Sequence, residues 1–126
     1  MARRIKFYLT ARGDSPVEVF LDSLSVKARA KCLSYLTLLA EQGNTLSANY
    51  IRHLEGDLWE LRPEFGGTEY RLLYVVVTTE AVVVLHAFTK KTQRTPPGEI
   101  ARALSRLAEV QEQADYEQNN QHKPTA

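Results

Sequence analysis

Residues 57–89 read DLWELRPEFGGTEYRLLYVVVTTEAVVVLHAFT, and this stretch decides the fold. Its apolar pattern has the period of a strand, with three runs at 57–65, 69–77 and 80–89 rich in Val, Tyr, Leu and Phe. Gly66-Gly67 separates the first two runs. Glycine enters the positive-φ conformation of a tight two-residue turn without steric cost, so this pair is a strong hairpin signal. Thr78-Thr79 between the second and third runs is a weaker one. The expectation is an antiparallel meander.

Those turns set a register. A two-residue loop at Gly66-Gly67 places Trp59 opposite Tyr74, Leu61 opposite Leu72 and Arg62 opposite Arg71. A two-residue loop at Thr78-Thr79 places Val75 opposite Val82, Leu73 opposite Val84 and Arg71 opposite His86. Symmetric lengthening of a loop moves each partner by two and keeps the face, whereas an odd change inverts it. Trp59, Leu61, Leu72 and Tyr74 therefore form an apolar face that should meet helices. Arg62, Arg71 and His86 form a row on the other face, with Phe88 beside them and Lys90-Lys91 just past the strand. Like charges directly opposite each other cost a sheet about 0.2–1 kcal/mol, so a purely structural sheet would avoid this row. An anion site would use it, and Phe88 suits base stacking beside phosphate contacts. Each residue also has a simpler reading: Arg62 can pair with Glu60 or Glu64 on its own strand, His86 can be a satisfied sheet histidine, and Lys90-Lys91 can be a solvated strand end.

Upstream, residues 3–9 suggest a short first strand. Ser15-Pro16-Val17-Glu18 has the form of a capping box with proline at the first helical position. Val17, Phe20, Leu21 and Leu24 follow on one helical face. Ser25 can cap a second helix to about Gln42, with a stripe of Val26, Ala30, Leu33, Thr37 and Ala40 widened by Leu36 and Leu39. Gly43-Asn44 stops it. A short extra strand is expected near 50–54. Downstream, Thr95-Pro96-Pro97 opens a last helix, Thr95 as its cap, with an apolar face of Ile100, Leu104, Leu107 and Ala108 and a polar ridge of Arg102 and Arg106. The fold class is α+β, in the order β-α-α-β-β-β-α: an N-terminal helical hairpin packed on an antiparallel β-sheet, with the helices on one face.

Composition sets the outer limits. The 126 residues suit one domain, and 44% hydrophobic with 25% charged residues supports a packed core rather than wholesale disorder. The formal charge of +1 excludes an indiscriminate nucleic-acid binder. It averages a body (1–110) of net +3 with a polar tail (111–126) of net −2, the tail being expected as frayed helix or disorder. The densest basic stretch is His86 to Arg94. The single Cys32 excludes a disulfide framework and a paired-cysteine metal site, and it should be an inert thiol. The three histidines have no metal-ligand spacing, and there is no run of apolar residues long enough to span a membrane. No cofactor or metal is expected, and the expected compartment is the cytoplasm.

LWELR, YRLLY and LHAFTKK, followed by Pro96-Pro97 and a helix bearing Ala103 and Arg106, together resemble the RelE/ParE superfamily of toxins from type II toxin–antitoxin systems, most of all its phage-related HigB branch. The resemblance covers residues 3–110. It implies the RelE-like fold and ribosome-dependent, metal-independent cleavage of messenger RNA as an endoribonuclease, which inhibits translation. It also implies a cognate helix-turn-helix antitoxin, with the ribosome and messenger RNA as further partners. Residue by residue, Arg71 matches the arginine of the YR motif, Lys91 the basic residue ending the next strand, with Lys90 beside it, and Arg62 the LR arginine. His53 stands where relatives often carry a basic residue. Leu58 and Glu60 depart from the lysines of RelE-type enzymes, and Pro96-Pro97 occupies the region of their tyrosine.

In such a reaction the 2′-hydroxyl of the RNA is the nucleophile, and the protein must move protons and stabilise the phosphorane. Arg71 and Lys91 would stabilise charge, Arg62 would position phosphate, and His86, kept neutral by neighbouring cations, would act as base or acid. Lys90, Phe88, His53 and Arg94 would bind RNA. The alternative is a ParE-like protein-binding inhibitor of DNA gyrase without nuclease activity.

Overall fold

A computed structural model describes residues 2–121, with side chains through Gln113. The chain runs β1 (Arg4–Phe7), α1 (Pro16–Asp22), α2 (Val26–Gln42), a 3-10 turn (Gly43–Thr45), β2 (Ile51–Glu55), β3 (Leu58–Leu61), β4 (Glu64–Phe65), β5 (Thr68–Thr78), β6 (Ala81–Lys90) and α3 (Pro97–Gln121). The expected α+β order is present, and the extra strand near 50–54 is β2. The last helix runs on past residue 110, and the part of the tail expected to be disordered beyond Gln121 lies outside the described residues.

Local chemistry explains the first helices. Ser15 Oγ accepts from Glu18 N at 3.3 Å, with Pro16 at the start of α1, and Ser25 Oγ accepts from Ala28 N at 3.2 Å to open α2. Gly43 ends α2 at φ +57°. The buried face of α2 is Ala28, Cys32, Leu36, Leu39 and Ala40. Val26, Ala30 and Thr37 of the expected stripe are exposed, because the helix is turned toward its widening residues Leu36 and Leu39. Thr95 does not cap α3. The carbonyl of Pro96 accepts from the N–H groups of Glu99 and Ile100, and the Thr95 hydroxyl is turned to Glu60 instead.

The strands lie in the order β1-β6-β5-β3-β2, with β4 also on β5. Gly66 (φ +59°) and Gly67 (φ +80°) make the tight turn, and Trp59–Tyr74 and Leu61–Leu72 are directly opposed, as that turn requires. The second hairpin differs. Its loop is Thr79-Glu80, with Thr78 opposite Ala81, and register shifts follow at Val76/Thr78 and Leu73/Tyr74. Arg71 is consequently opposite Phe88, and His86 is opposite Leu73. The displacement at Arg71 is two residues, so the face is kept. The meander is antiparallel, but β1 joins β6 in parallel, so the sheet is mixed.

The helices occupy both faces, not one. α1 and α2 pack on Leu61, Tyr70, Leu72, Tyr74, Val82 and Val84. α3 covers the other face through Ala103, Ile100, Leu104 and Leu107, against Leu58, Leu73, Val75, Val83 and Leu85. Ala108, expected on the apolar face, is exposed, and Ala103 is fully buried in its place. The face that carries the basic row is therefore roofed by α3 over part of its area, which decides how the site is built.

Candidate functional site

On the α3 side of the sheet, Glu60 of β3 and Arg71 of β5 are each 1% exposed. A buried charge survives only when it is paired and hydrogen-bonded. Arg71 donates from Nη1 to Tyr70 O at 2.8 Å and from Nη2 to Glu69 Oε1 at 3.1 Å, while its Nε lies 3.8 Å from Glu60 Oε1. Arg62 approaches the same carboxylate oxygen from the other side, Nε at 3.8 Å, and donates from Nη1 to Ala48 O at 3.1 Å. The Thr95 hydroxyl donates to Glu60 Oε2 at 2.5 Å. Glu60 is thus the hub between Arg62, which lies just past the end of β3, and Arg71 on β5. Lys90 is opposite Glu69 in the β5–β6 ladder. The Arg71 hydrogen bond holds the Glu69 carboxyl below its ordinary range, and desolvation, followed by repulsion from Arg71, lowers the Lys90 ammonium. Three fixed cations here meet two carboxylates, and Lys91 and Arg94 add exposed positive charge just beyond the strand.

His86 belongs to a neighbouring network. Its side chain is 11% exposed, with Nε2 2.6 Å from Glu99 Oε2 and Nδ1 3.2 Å from Arg106 Nη1. A guanidinium can only donate, so Nδ1 carries a lone pair and the proton sits on Nε2: the ring is the neutral tautomer. Arg106 also donates to Leu85 O at 2.8 Å and lies over the Tyr8 ring at 5.0 Å, and the Tyr8 hydroxyl donates to Glu109. Phe88 stacks on His86 with centroids 5.5 Å apart. The His86 pKa is lowered, as neutrality requires, but the first cause is desolvation, with Arg106 and Arg102 adding to it and Glu99 opposing. The cations responsible come from α3, not from Arg71 or Lys91.

The structure therefore brings Arg62, Arg71 and Lys90 together, places His86 and Phe88 alongside them under α3, and leaves Lys91 and Arg94 exposed past β6. His53 is elsewhere. It lies opposite Trp59 with ring centroids 5.0 Å apart, which puts it on the α1–α2 face of the sheet, and its Nε2 is 2.7 Å from Gly56 O. The sequence pattern placed Arg106 on a polar ridge and in the family motif and made Thr95 a helix cap, and it gave no role to Glu69 or Glu99. Glu60 was signalled by its alternation with Arg62 on one strand. Glu99 and Arg106 carried no signal that pointed to His86, since their approach depends on where α3 docks. Among the described residues no cluster of His, Cys, Asp or Glu could hold a metal ion, and no helix is long and apolar enough to cross a membrane.

Residues 19–108 match the family model described as phage-derived protein Gp49-like (DUF891), a family of RelE- and toxin-like proteins. The matched span contains Glu60, Arg62, Arg71, His86, Lys90, Glu99 and Arg106. No curated protein sequence matches the chain.

Proposed function

Because the chain belongs to the phage-derived Gp49-like family of toxin-like proteins, we propose that it is the toxin of a type II toxin–antitoxin pair, of the HigB-like kind, and that it cleaves messenger RNA on the ribosome. The observation that carries this reading is the excess of positive charge gathered on one strand end, where Arg62, Arg71 and Lys90 surround Glu60 and Glu69 and run on into Lys91 and Arg94. The remainder of the domain is close to neutral, so such an edge binds RNA weakly by itself and depends on the ribosome to present it. Lys91, Arg94 and the half-buried Arg62 contact phosphate, and half-buried Phe88 offers a stacking face. Arg71, fully enclosed, is a positioning residue that holds Glu60 and Glu69 in place.

The 2′-hydroxyl of the RNA is the nucleophile, so the reaction needs no metal ion. His86 takes its proton at Nδ1, the lone pair now engaged by Arg106, as the 2′-oxygen bonds to phosphorus, and returns that proton to the 5′-oxygen whose bond to phosphorus breaks, leaving a 2′,3′-cyclic phosphate; Arg106 is released toward the incoming phosphate as Nδ1 is protonated. Glu99 on Nε2 stabilises the imidazolium that forms. The partners are a helix-turn-helix antitoxin, the ribosome and messenger RNA, in the cytoplasm.

The test is to incubate the purified chain with messenger RNA, with and without ribosomes, and to map the new 5′ ends. Cleavage is expected only with ribosomes, and Lys91→Ala/Arg94→Ala should lower it at least tenfold while leaving the fold intact. A folded chain that never cleaves, or a double variant with full activity, overturns this reading. One observation favours a second one: Arg71 and His86 are both buried and held by groups of the chain itself, Arg71 by Tyr70 O and Glu69 and His86 by Glu99, as suits a ParE-like inhibitor of DNA gyrase that works by protein contact alone. Induction separates the two, since the nuclease arrests translation and the gyrase inhibitor triggers a DNA-damage response.

A further inference from the structure

Lys91 and Arg94 stand on the short segment 91–96, between the end of β6 at Lys90 and the start of α3 at Pro97. Residues 91–94 are exposed, and Lys91 and Arg94 make no ion pair among the described residues. An exposed connection without ladder bonds samples many conformations unless something fixes it. Two side-chain hydrogen bonds act on this one. Thr92 Oγ1 donates to Arg94 O at 2.6 Å, inside the segment. The Thr95 hydroxyl donates to Glu60 Oε2 at 2.5 Å, across 35 positions of the chain. Among the described residues, that bond is the one tying 91–95 to the sheet. Its acceptor is held firmly. Glu60 is 1% exposed, and its other oxygen lies 3.8 Å from Nε of both Arg62 and Arg71. A hydrogen bond to an ionised carboxylate is also stronger than a neutral one. Beyond it, Pro96 and Pro97 restrict the backbone and lead into α3, whose Glu99 is bound to His86.

We propose that Thr95 is a positioning residue for RNA: by bonding to Glu60 it holds Lys91 and Arg94 in place at the end of the sheet that carries Arg62, ready for the phosphate backbone. The proposal rests on the nuclease reading and deepens it, since it names what fixes the exposed phosphate contacts of that site. Arg94 adjoins Thr95, and consecutive Cα atoms are about 3.8 Å apart, so releasing the hydroxyl releases the Arg94 backbone with it. Cations fixed before RNA arrives need not be ordered when it binds, and binding is tighter by that amount. A hydroxyl suits the task because it donates to the carboxylate without adding charge, where a lysine would bring a further cation beside Arg62 and Arg71. Thr95 and Arg71 thus share one carboxylate but differ in what they hold. Arg71 fixes Glu60 inside the sheet, and Thr95 carries that fixed point outward to the segment bearing Lys91 and Arg94.

The test compares the full chain with its Thr95→Val and Thr95→Ser variants. In a timed trypsin digest, cleavage after Lys91 relative to cleavage after Arg29, which lies inside α2, should rise at least tenfold in Thr95→Val and stay within twofold of the parent in Thr95→Ser. A general loss of stability raises both cuts together and leaves that ratio unchanged. On ribosomes carrying messenger RNA, Thr95→Val should raise KM at least tenfold with kcat within twofold, and Thr95→Ser should keep the parent KM. In a Lys91→Ala/Arg94→Ala background, Thr95→Val should change cleavage by less than twofold, because the charges it positions are gone. A parent-like KM in Thr95→Val, an unchanged trypsin ratio, or a full tenfold loss in that background overturns the proposal and leaves the nuclease reading standing. A folded parent chain that cleaves nothing overturns the nuclease reading and this role of Thr95 with it.

Discussion

Replacing Arg71 by Met removes a buried charge whose partners are fixed by geometry. At 3.8 Å and an effective dielectric of about 20, the Arg71–Glu60 attraction is about 4 kcal/mol before desolvation is charged against it. Removing one member of such a pair strands the other, and costs about 3–5 kcal/mol in comparable cases. Glu60 keeps the Thr95 hydroxyl and Arg62, so the lower end, about 3 kcal/mol, is expected. Against a domain stability of about 5–15 kcal/mol this is a large fraction. Trp59, the chain's single tryptophan, adjoins Glu60 on β3 and reports unfolding by fluorescence. With a urea m-value of about 1–3 kcal/mol/M, the midpoint should fall by about 1–3 M. Glu60→Gln in the same background should cost less than it does alone, with a coupling energy of about 1–3 kcal/mol in the double-mutant cycle. Added salt should leave that coupling in place, because both side chains are 1% exposed, whereas the exposed Arg29–Asp22 pair should weaken. Additive single effects, or an Arg71→Met variant as stable as the parent, would refute the picture of Glu60 as the hub. The result also bears on activity: an Arg71→Ala variant that loses function will have lost stability too, so it cannot by itself mark Arg71 as catalytic.

Other outcomes follow from the same geometry. The folded-state pKa of His86 is depressed, so the unfolded chain binds its proton first; stability should be flat above about pH 6.5 and fall as the pH drops through the folded pKa, a decline that His86→Gln should reduce in urea titrations at stepped pH. Gly43→Ala places a Cβ 2.7 Å from Arg3 Cζ at φ +57°; the guanidinium can move away but the backbone strain remains, so a loss of about 1–2 kcal/mol should appear in thermal unfolding and should persist in an Arg3→Ala background. Burial pushes the Cys32 thiol up to about 11 and leaves it 0% exposed, so a thiol reagent at pH 8 should label it only in denaturant; labelling of the folded chain would contradict the packing of α2.

The sequence by itself determined whatever rests on short-range chemistry. Gly66-Gly67 dictates a turn of one geometry, and from that turn the opposition of Trp59 to Tyr74 and Leu61 to Leu72 follows by counting. Ser15 and Ser25 cap helices because their hydroxyls reach orphan N–H groups three residues ahead. The clustering of Arg62 and Arg71 was legible for the same reason. What only the tertiary structure decided is everything set by long-range packing. Thr78-Thr79 carries no glycine to dictate a turn, so the second hairpin took its loop at Thr79-Glu80, and register shifts moved His86 from Arg71 to Leu73. The direction of β1 and the side of the sheet taken by α3 depend on contacts across the whole chain. The docking of α3 brings Glu99 and Arg106 onto His86 and Thr95 onto Glu60, turning a row expected as an open groove into a buried, compensated network with its unbalanced charge at one end. The physical reason is burial: once α3 covers this face, each charge beneath it must find a partner, and those partners come from segments distant in the chain.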